Sequence, residues 1–92
     1  MKEASHKVPD GKMVNINLET DSGKVKSVSI RGDFFLEPAE KLEELEDKIE
    51  GLDKDTEAQK IEEKLESVDA ELIGFSRKDI GKAFRKAVGE EE

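Results

Sequence analysis

Hydrophobic and polar residues alternate in the first third of the chain, a pattern that predicts a β-hairpin. Apolar and polar side chains follow one another in residues 12–20, as in a strand with one buried face. Asp21-Ser22-Gly23 predicts the turn, because glycine accepts the positive φ of a tight hairpin. Residues 24–31 predict the second strand, and Val25, which is out of step there, indicates a bulge. The shared apolar face comprises Val14, Ile16, Leu18, Val28 and Ile30.

The spacing of apolar residues changes to three and four after Pro38, which predicts helices. Pro38 suits the first helical position, where its missing N–H is not needed, and Gly51 suits a left-handed C-cap. A second helix is predicted to begin near Thr56, which has capping-box spacing to Gln59. The apolar stripes of these helices are Leu42, Leu45, Ile49 and Leu52, and then Ala58, Ile61, Leu65 and Val68.

A third helix is predicted after Ser76, which forms a capping-box pattern with Asp79. Gly81 within this helix costs up to about 1 kcal/mol relative to alanine, unless a neighbouring backbone needs the room. The preceding connection contains Leu72-Ile73, for which periodicity does not separate a short strand from a packed loop. The apolar face of the helix comprises Ile80, Ala83, Phe84, Ala87 and Val88.

These elements predict an α+β fold in which three helices cover one face of an antiparallel β-hairpin. Whether a third short strand is present depends on Leu72-Ile73. By its length of 92 residues the chain is one domain. Residues 1–10 show no periodicity, so we expect a flexible N-terminal arm there. Residues 11–89 are predicted to form the single domain, and residues 90–92 an acidic tail.

The charge distribution excludes some classes of partner. The formal net charge is −8, and residues 37–71 hold 15 acidic and 5 basic side chains. This acidic centre repels phosphate backbones, so we expect no nucleic-acid binding. A solvated helical face explains it most simply, and a docking surface for a basic partner is the alternative. The sequence has no cysteine and no signal-peptide core, so we expect a cytoplasmic protein. It also has no apolar run of 18 residues, so we expect no membrane span.

No set of residues in the sequence predicts a catalytic site. A nucleophile needs a base within reach, and the single histidine, His6, lies in the predicted arm. An exposed histidine is usually inert, and an ordered carboxylate beside it would reopen the question. The carboxylates fall on solvated helix faces, and neither a phosphate-binding loop nor calcium-loop spacing occurs. A stand-alone enzyme based on these carboxylates would need one with a strongly raised pKa in a closed pocket.

Gly32-Asp33-Phe34-Phe35, at the exit of the hairpin, is the first candidate site. In a structural role, Gly32 permits a twist, the phenylalanines fill the core, and Asp33 binds nearby backbone N–H groups. In a functional role, one phenylalanine points outward and anchors a partner, because aromatic side chains are enriched at binding hot spots. Adjacent strand residues point to opposite faces, so a continuous strand does not place both Phe34 and Phe35 in one core. The residues alone favour the structural role.

The third predicted helix carries weaker candidates for partner contacts. Arg85, together with Lys86, has a structural explanation, because cations near a helix C-terminus complement its dipole. The functional alternative is a contact with an acidic partner or a nucleotide phosphate. The weaker candidates are Arg77, Lys78, Lys82 and Arg85.

The order of the motifs supplies a resemblance over residues 11–88. Its most specific part is Ile30-Arg31-Gly32-Asp33-Phe34-Phe35, which closes the hairpin that Gly11-Lys12-Met13-Val14 opens. Weaker matches are Pro38 with Leu45-Glu46, Gly51-Leu52, and Ile73-Gly74-Phe75-Ser76 with Asp79-Ile80. In these motifs and their spacing the chain resembles the C-terminal accessory domain of lipoate–protein ligases.

The resemblance implies a function for the chain. In that family a large domain binds ATP and lipoate, forms lipoyl-adenylate and transfers the lipoyl group to a lysine of an acceptor domain. The small accessory domain packs on it and, in some prokaryotes, notably archaea, is a separate polypeptide. The resemblance therefore implies a non-catalytic subunit of this split type, which forms a heterodimer with the catalytic subunit and meets the acceptor domain indirectly.

The resemblance also implies where the ligands bind. ATP, Mg and lipoate would bind to the partner and none of them to this chain alone, which would hold neither a catalytic residue nor a metal. Gly32, Asp33, Phe34 and Phe35 match the family segment and are expected to hold or orient the partner. The alternative is a small adaptor that docks an unrelated protein through the same hairpin.

Overall fold

The computed structural model describes residues 2–9 and 12–89, and it confirms the α+β class. Three strands form one antiparallel sheet in the order β1-β2-β3. Two short strands, β4 and β5, pair in a second antiparallel sheet. The strands are β1 (Lys2–Lys7), β2 (Met13–Asp21), β3 (Lys24–Gly32), β4 (Phe35–Glu37) and β5 (Glu71–Ile73).

The core lies between the three-stranded sheet and the helices α1 (Lys41–Ile49), α2 (Ala58–Leu65) and α3 (Arg77–Ala87). Helix α1 packs on β3, α3 packs on β1 and β2, and α2 packs on α3. The strand β5 answers the open question about Leu72-Ile73, because it pairs with β4 along its whole length. The largest fully buried side chains include Ile16, Leu45, Ile49, Ile61 and Phe84.

Lys2–Lys7 forms a strand, so the prediction of a flexible arm at residues 1–10 is wrong for this segment. Strand β1 pairs with β2 along its whole length. Ala4 and His6 are half-buried, and Val8 beyond the strand is buried. A strand with so few apolar residues shows little hydrophobic periodicity in its sequence. Pairing with β2 stabilises this strand instead. Met1 and Asp10 of the predicted arm, Gly11, and the predicted tail at residues 90–92 lie outside the described residues.

The hairpin of β2 and β3 has the predicted turn and bulge. Ser22 and Gly23 have positive φ values of 56° and 82°, as both central residues of a two-residue hairpin turn often do. The register between the strands shifts beside Thr20, which lies opposite Val25. The shift lets Val25 join the buried face although it is out of step in the sequence.

Helix α1 begins at Lys41, so the predicted start at Pro38 is too early. Strand β4 extends to residue 37, and the chain must turn before it enters the helix; the Lys41 N–H donates to the Pro38 carbonyl in this turn at 3.0 Å. Gly51, with a φ of 89°, confirms the predicted left-handed residue after the helix. From α1 the Glu46 carboxylate accepts the Ile30 N–H at 2.8 Å, which closes part of the outer edge of β3.

Helix α2 begins at Ala58, and the predicted capping box between Thr56 and Gln59 is wrong. Thr56 Oγ1 instead donates to the Asp53 carbonyl at 2.6 Å, so this hydroxyl stabilises the preceding turn. The predicted apolar stripe still faces the core, because Ile61, Leu65 and Val68 are buried.

Helix α3 confirms the predicted capping box and apolar face. The Asp79 N–H donates to Ser76 Oγ at 3.3 Å, and the Ser76 N–H donates to Asp79 Oδ2 at 2.9 Å. Gly81 lies against α2, where an added Cβ would be 2.7 Å from the Ala58 carbonyl oxygen. Glycine therefore lets the two helix backbones approach, which explains its place inside a helix. Ile80, Ala83, Phe84 and Ala87 of the predicted face are buried.

Candidate partner-docking surface

Gly32 and Asp33 fix the end of β3 to the start of β2. An added Cβ at Gly32 would collide with the Met13 carbonyl oxygen and lie 2.6 Å from the Phe34 ring. Asp33 Oδ1 accepts the Met13 N–H at 2.7 Å, which confirms the predicted bond to backbone. Both residues therefore act on the local backbone, and they fix the direction in which Phe34 and Phe35 leave the hairpin.

Phe34 and Phe35 have different environments. The Phe34 ring stacks on the Phe75 ring, with centroids 3.9 Å apart and planes 19° apart, and it packs against the core. Phe35 begins β4 and is 69% exposed. The structure therefore gives the segment one packed and one exposed phenylalanine, as the alternation of side chains on an extended backbone requires.

The exposed phenylalanine lies beside a second exposed apolar residue. Pairing of β4 with β5 places Phe35 directly opposite Ile73, which is 42% exposed. Within the part of the chain that the structure describes, these are the two exposed large hydrophobic side chains. They form the Phe35/Ile73 patch on the outer face of the two-stranded sheet, while Leu36 and Leu72 face the core. Because the two exposed side chains are contiguous, this patch is the candidate contact surface for a partner.

A groove of about 260 Å³ lies beside this patch, between the end of the hairpin and the start of α1. Its lining includes Gly32, Phe34 and Phe35, three of the four residues of the candidate segment. Ala39 and Leu42 line the groove on the side of α1. The fold therefore brings most of the predicted site residues to one surface, and the fourth, Asp33, supports that surface through the hairpin backbone.

Carboxylates border the Phe35/Ile73 patch. The register that pairs its two members also places Glu37 opposite Glu71, and both glutamates are exposed. No ion pair between described residues involves either of them. The sequence alone did not reveal this arrangement, because it depends on pairing between segments that two helices separate.

The four weaker candidates for partner contacts, all on α3, divide into two groups. Arg77 donates to the carbonyls of Leu65, Val68 and Ala70, at 2.9, 2.7 and 3.3 Å, and so caps the end of α2. Arg85 NH1 donates to the carbonyls of Lys54 and Thr56, at 3.0 Å each. These two arginines therefore stabilise the packing of α3 against the segments around α2. Lys78 and Lys82 are exposed beside a groove between α2 and α3.

His6 lies beside an ordered carboxylate. His6 Nε2 is 3.0 Å from Asp79 Oδ1, and the side chains are 18% and 12% exposed. Burial raises the pKa of Asp79, but hydrogen bonds from the Ser76 side chain, from His6 and from the Ser76 backbone outweigh burial and lower this pKa. The Ser76 hydroxyl donates to Asp79 at 2.9 Å and not to His6. The geometry joins β1 to α3 and does not match a nucleophile activated by histidine.

Residues 2–9 and 12–89 contain neither a cluster of metal ligands nor a membrane-spanning helix. No three histidine, aspartate or glutamate side chains in these ranges lie close enough together to hold a metal ion. No helix there is both long enough and apolar enough to cross a membrane. Each buried side-chain nitrogen or oxygen of the described residues has a hydrogen-bond partner.

Comparison with known proteins identifies a family and a similar fold. The family model of the C-terminus of bacterial lipoate protein ligase matches residues 2–84. A solved chain from the structural analysis of an archaeal lipoylation system, a bi-partite lipoate protein ligase and its E2 lipoyl domain from Thermoplasma acidophilum, superposes with a TM-score of 0.72. The two chains are 23% identical, and the match covers 92% of this chain and 98% of that chain. No curated protein matches the chain.

The family match includes both sheets, helices α1 and α2, and α3 as far as Phe84. It therefore covers the hairpin exit, the Phe35/Ile73 patch and the capping box of α3. The resemblance that the motifs of the sequence suggest is confirmed. This chain belongs to the family of lipoate protein ligase C-terminal domains.

Proposed function

We propose that this chain is the non-catalytic accessory subunit of a two-component lipoate protein ligase. It binds the catalytic subunit as a heterodimer in the cytoplasm and supports ATP-dependent formation of lipoyl-AMP. The lipoyl group is then transferred to a lysine of an acceptor domain, which this chain meets indirectly. The observation that carries the proposal is the family match over residues 2–84. The fold shared with a chain from a bi-partite ligase system supports the two-component form.

The proposal places the active site on the catalytic subunit, where ATP, Mg and lipoate bind. The polar side chains of this chain support that division, because several that could contact a ligand are bonded within the fold. The Asp79 carboxylate is hydrogen-bonded to His6 and Ser76, and the Arg77 guanidinium donates hydrogen bonds to three backbone carbonyls. This chain then contributes a surface and a rigid support, and no reacting group.

The Phe35/Ile73 patch is the proposed contact with the catalytic subunit. Its apolar side chains are in water in the free chain, so covering them stabilises a complex. Docking there orders part of the catalytic subunit's site and excludes water while ATP and lipoate react. Water exclusion matters for this reaction, because an acyl-adenylate is readily hydrolysed. The alternative function, an adaptor for an unrelated protein, has no observation in its favour beyond this same patch.

Reconstitution tests the proposal. A catalytic subunit that lacks this domain is incubated with ATP, Mg and lipoate, and pyrophosphate release and lipoyl-AMP are measured with and without this chain. We expect lipoate-dependent product only when both proteins are present. An unchanged rate at a stoichiometric excess of this chain would contradict the proposal. Unaided turnover by the purified chain would contradict its non-catalytic role.

A further inference from the structure

We propose that the Phe35/Ile73 patch recognises a surface of the catalytic subunit that presents an apolar side chain next to a lysine or arginine. This inference rests on the proposed function and adds the chemistry of the counterpart. It is carried by the exposed pair of glutamates, Glu37 and Glu71, on the same face of the same two strands.

The positions of the two glutamates bring like charges together in the free chain. They lie directly opposite each other in an antiparallel pair, where Cβ atoms are about 4.5–5.5 Å apart and like charges destabilise the sheet. No ion pair between described residues neutralises either carboxylate. A cation from another molecule, placed between the two carboxylates, would contact both and remove their repulsion.

Cations on the nearby elements are already engaged. Arg31, beside the groove, is 3.1 Å from the Glu46 carboxylate, and Lys41 at the start of α1 is 3.1 Å from Glu44. The segment 37–71, which contains both glutamates, holds 15 acidic and 5 basic side chains. Lys12 lies against Gly74, beyond Ile73 at the apolar end of the patch. The other end, at Glu37 and Glu71, is negative, and charge complementarity there favours a basic counterpart over a neutral or acidic one.

The spacing on this face sets the spacing on the counterpart. Phe35 and Glu37 are two residues apart on one strand, and Ile73 and Glu71 are two apart on the other. At about 3.3 Å per residue the apolar pair and the acidic pair are separated by roughly 6–7 Å. Residues i and i+2 of a strand match this separation, and residues i and i+3 or i+4 of a helix come close to it. One apolar residue and one lysine or arginine at such a spacing can cover both pairs at once.

The charge of the glutamate pair has opposite effects on the stability of the free chain and on the affinity for the catalytic subunit. Neutralising both glutamates relieves repulsion and stabilises the free chain. The same change removes the contacts to the cation and weakens the complex. A pair of surface charges without a binding role would not weaken the complex when it is neutralised.

The test compares two double variants of the full chain. Glu37→Gln with Glu71→Gln removes the pair beside the patch. Asp47→Asn with Glu50→Gln removes two exposed charges at the other end of α1, so it matches the change in net charge. Thermal unfolding of each free chain is measured. Affinity for the catalytic subunit is measured by calorimetry at about 50 mM and about 500 mM salt, since salt screens exposed charges.

We expect the variant at positions 37 and 71 to bind about fivefold more weakly than the wild type at low salt, as the loss of exposed ion pairs predicts. The difference should shrink at high salt, while the unfolding temperature of this variant rises. The control variant should bind as the wild type does at both salt concentrations.

Three outcomes separate the inference from the function it rests on. If the wild type binds and stimulates the catalytic subunit, but the variant at positions 37 and 71 binds equally well at low salt, the inference is wrong and the proposed function stands. If the control variant loses as much affinity, the effect is general electrostatics and the inference is also wrong. If the wild type neither binds nor stimulates, both the function and the inference are wrong.

Discussion

Replacing Phe35 with serine should remove a large part of the docking energy and leave the fold intact. A phenylalanine buries about 150–250 Å² when it is fully covered. Because 69% of Phe35 is exposed, a partner can cover roughly 100–170 Å² of it. At about 25 cal/mol per Å² this area contributes at most ~4 kcal/mol. With partial covering we expect about 2 kcal/mol, the size of a binding hot spot, which raises the dissociation constant about 30-fold.

Calorimetric titration of the catalytic subunit with the Phe35→Ser chain measures this loss. Lys26→Ser, at an exposed position of β3, is the matched control and should bind as the wild type does. Thermal unfolding of the free variant checks the fold, and we expect a loss of at most about 1 kcal/mol from the lower β-propensity of serine. An unchanged dissociation constant for a folded Phe35→Ser chain would refute the assignment of this patch as the contact.

Three further predictions concern residues that hold the fold together. Gly81→Ala should lower the unfolding temperature by about 4–8 °C, because the clash with the α2 backbone, about 1–3 kcal/mol, exceeds the gain in helix propensity of about 1 kcal/mol; Lys82→Ala is the exposed control, and an increase for Gly81→Ala would refute the close approach. Asp79→Asn should cost about 1–2 kcal/mol at neutral pH in urea unfolding. Because the folded pKa of Asp79 is lowered from 3.8, the wild-type advantage is complete above that value and fades as the pH falls through the folded pKa, so a difference that persists in strong acid would contradict this account. Arg77→Met should cost about 1–3 kcal/mol of stability, since it leaves carbonyls at the end of α2 unsatisfied, and should leave partner affinity unchanged; a folded variant with weakened affinity would instead place Arg77 in the interface.

Local patterns made part of the fold predictable from the sequence. The capping box of Ser76 and Asp79 and the apolar face behind it depend on residues three and four apart, which one helix brings together. The turn at Ser22-Gly23 and the bulge near Val25 follow from similarly local rules. The alternation of side chains on an extended backbone predicts that a continuous strand does not place both phenylalanines of the hairpin exit in one core. The favoured core role is nevertheless wrong for Phe35, which is exposed.

Long-range pairing made the rest unpredictable. Strand β1 has little apolar character of its own, so its order depends on pairing with β2 and on the bond from His6 to Asp79, 73 residues away. The predicted capping box at Thr56 is wrong because the Thr56 hydroxyl donates its hydrogen bond to the Asp53 carbonyl. Ile73, the second half of the patch, is identified only by the register between β4 and β5. A pattern in one segment of sequence does not specify that register.

The most direct test of the central claim is a titration of the catalytic subunit with this chain while lipoate-dependent lipoyl-AMP formation is measured. The account predicts a saturable rise that ends near one equivalent of this chain. It also predicts that the Phe35→Ser chain needs a higher concentration to reach the same plateau. A flat response across the titration would contradict the claim that this chain is the accessory subunit of the ligase.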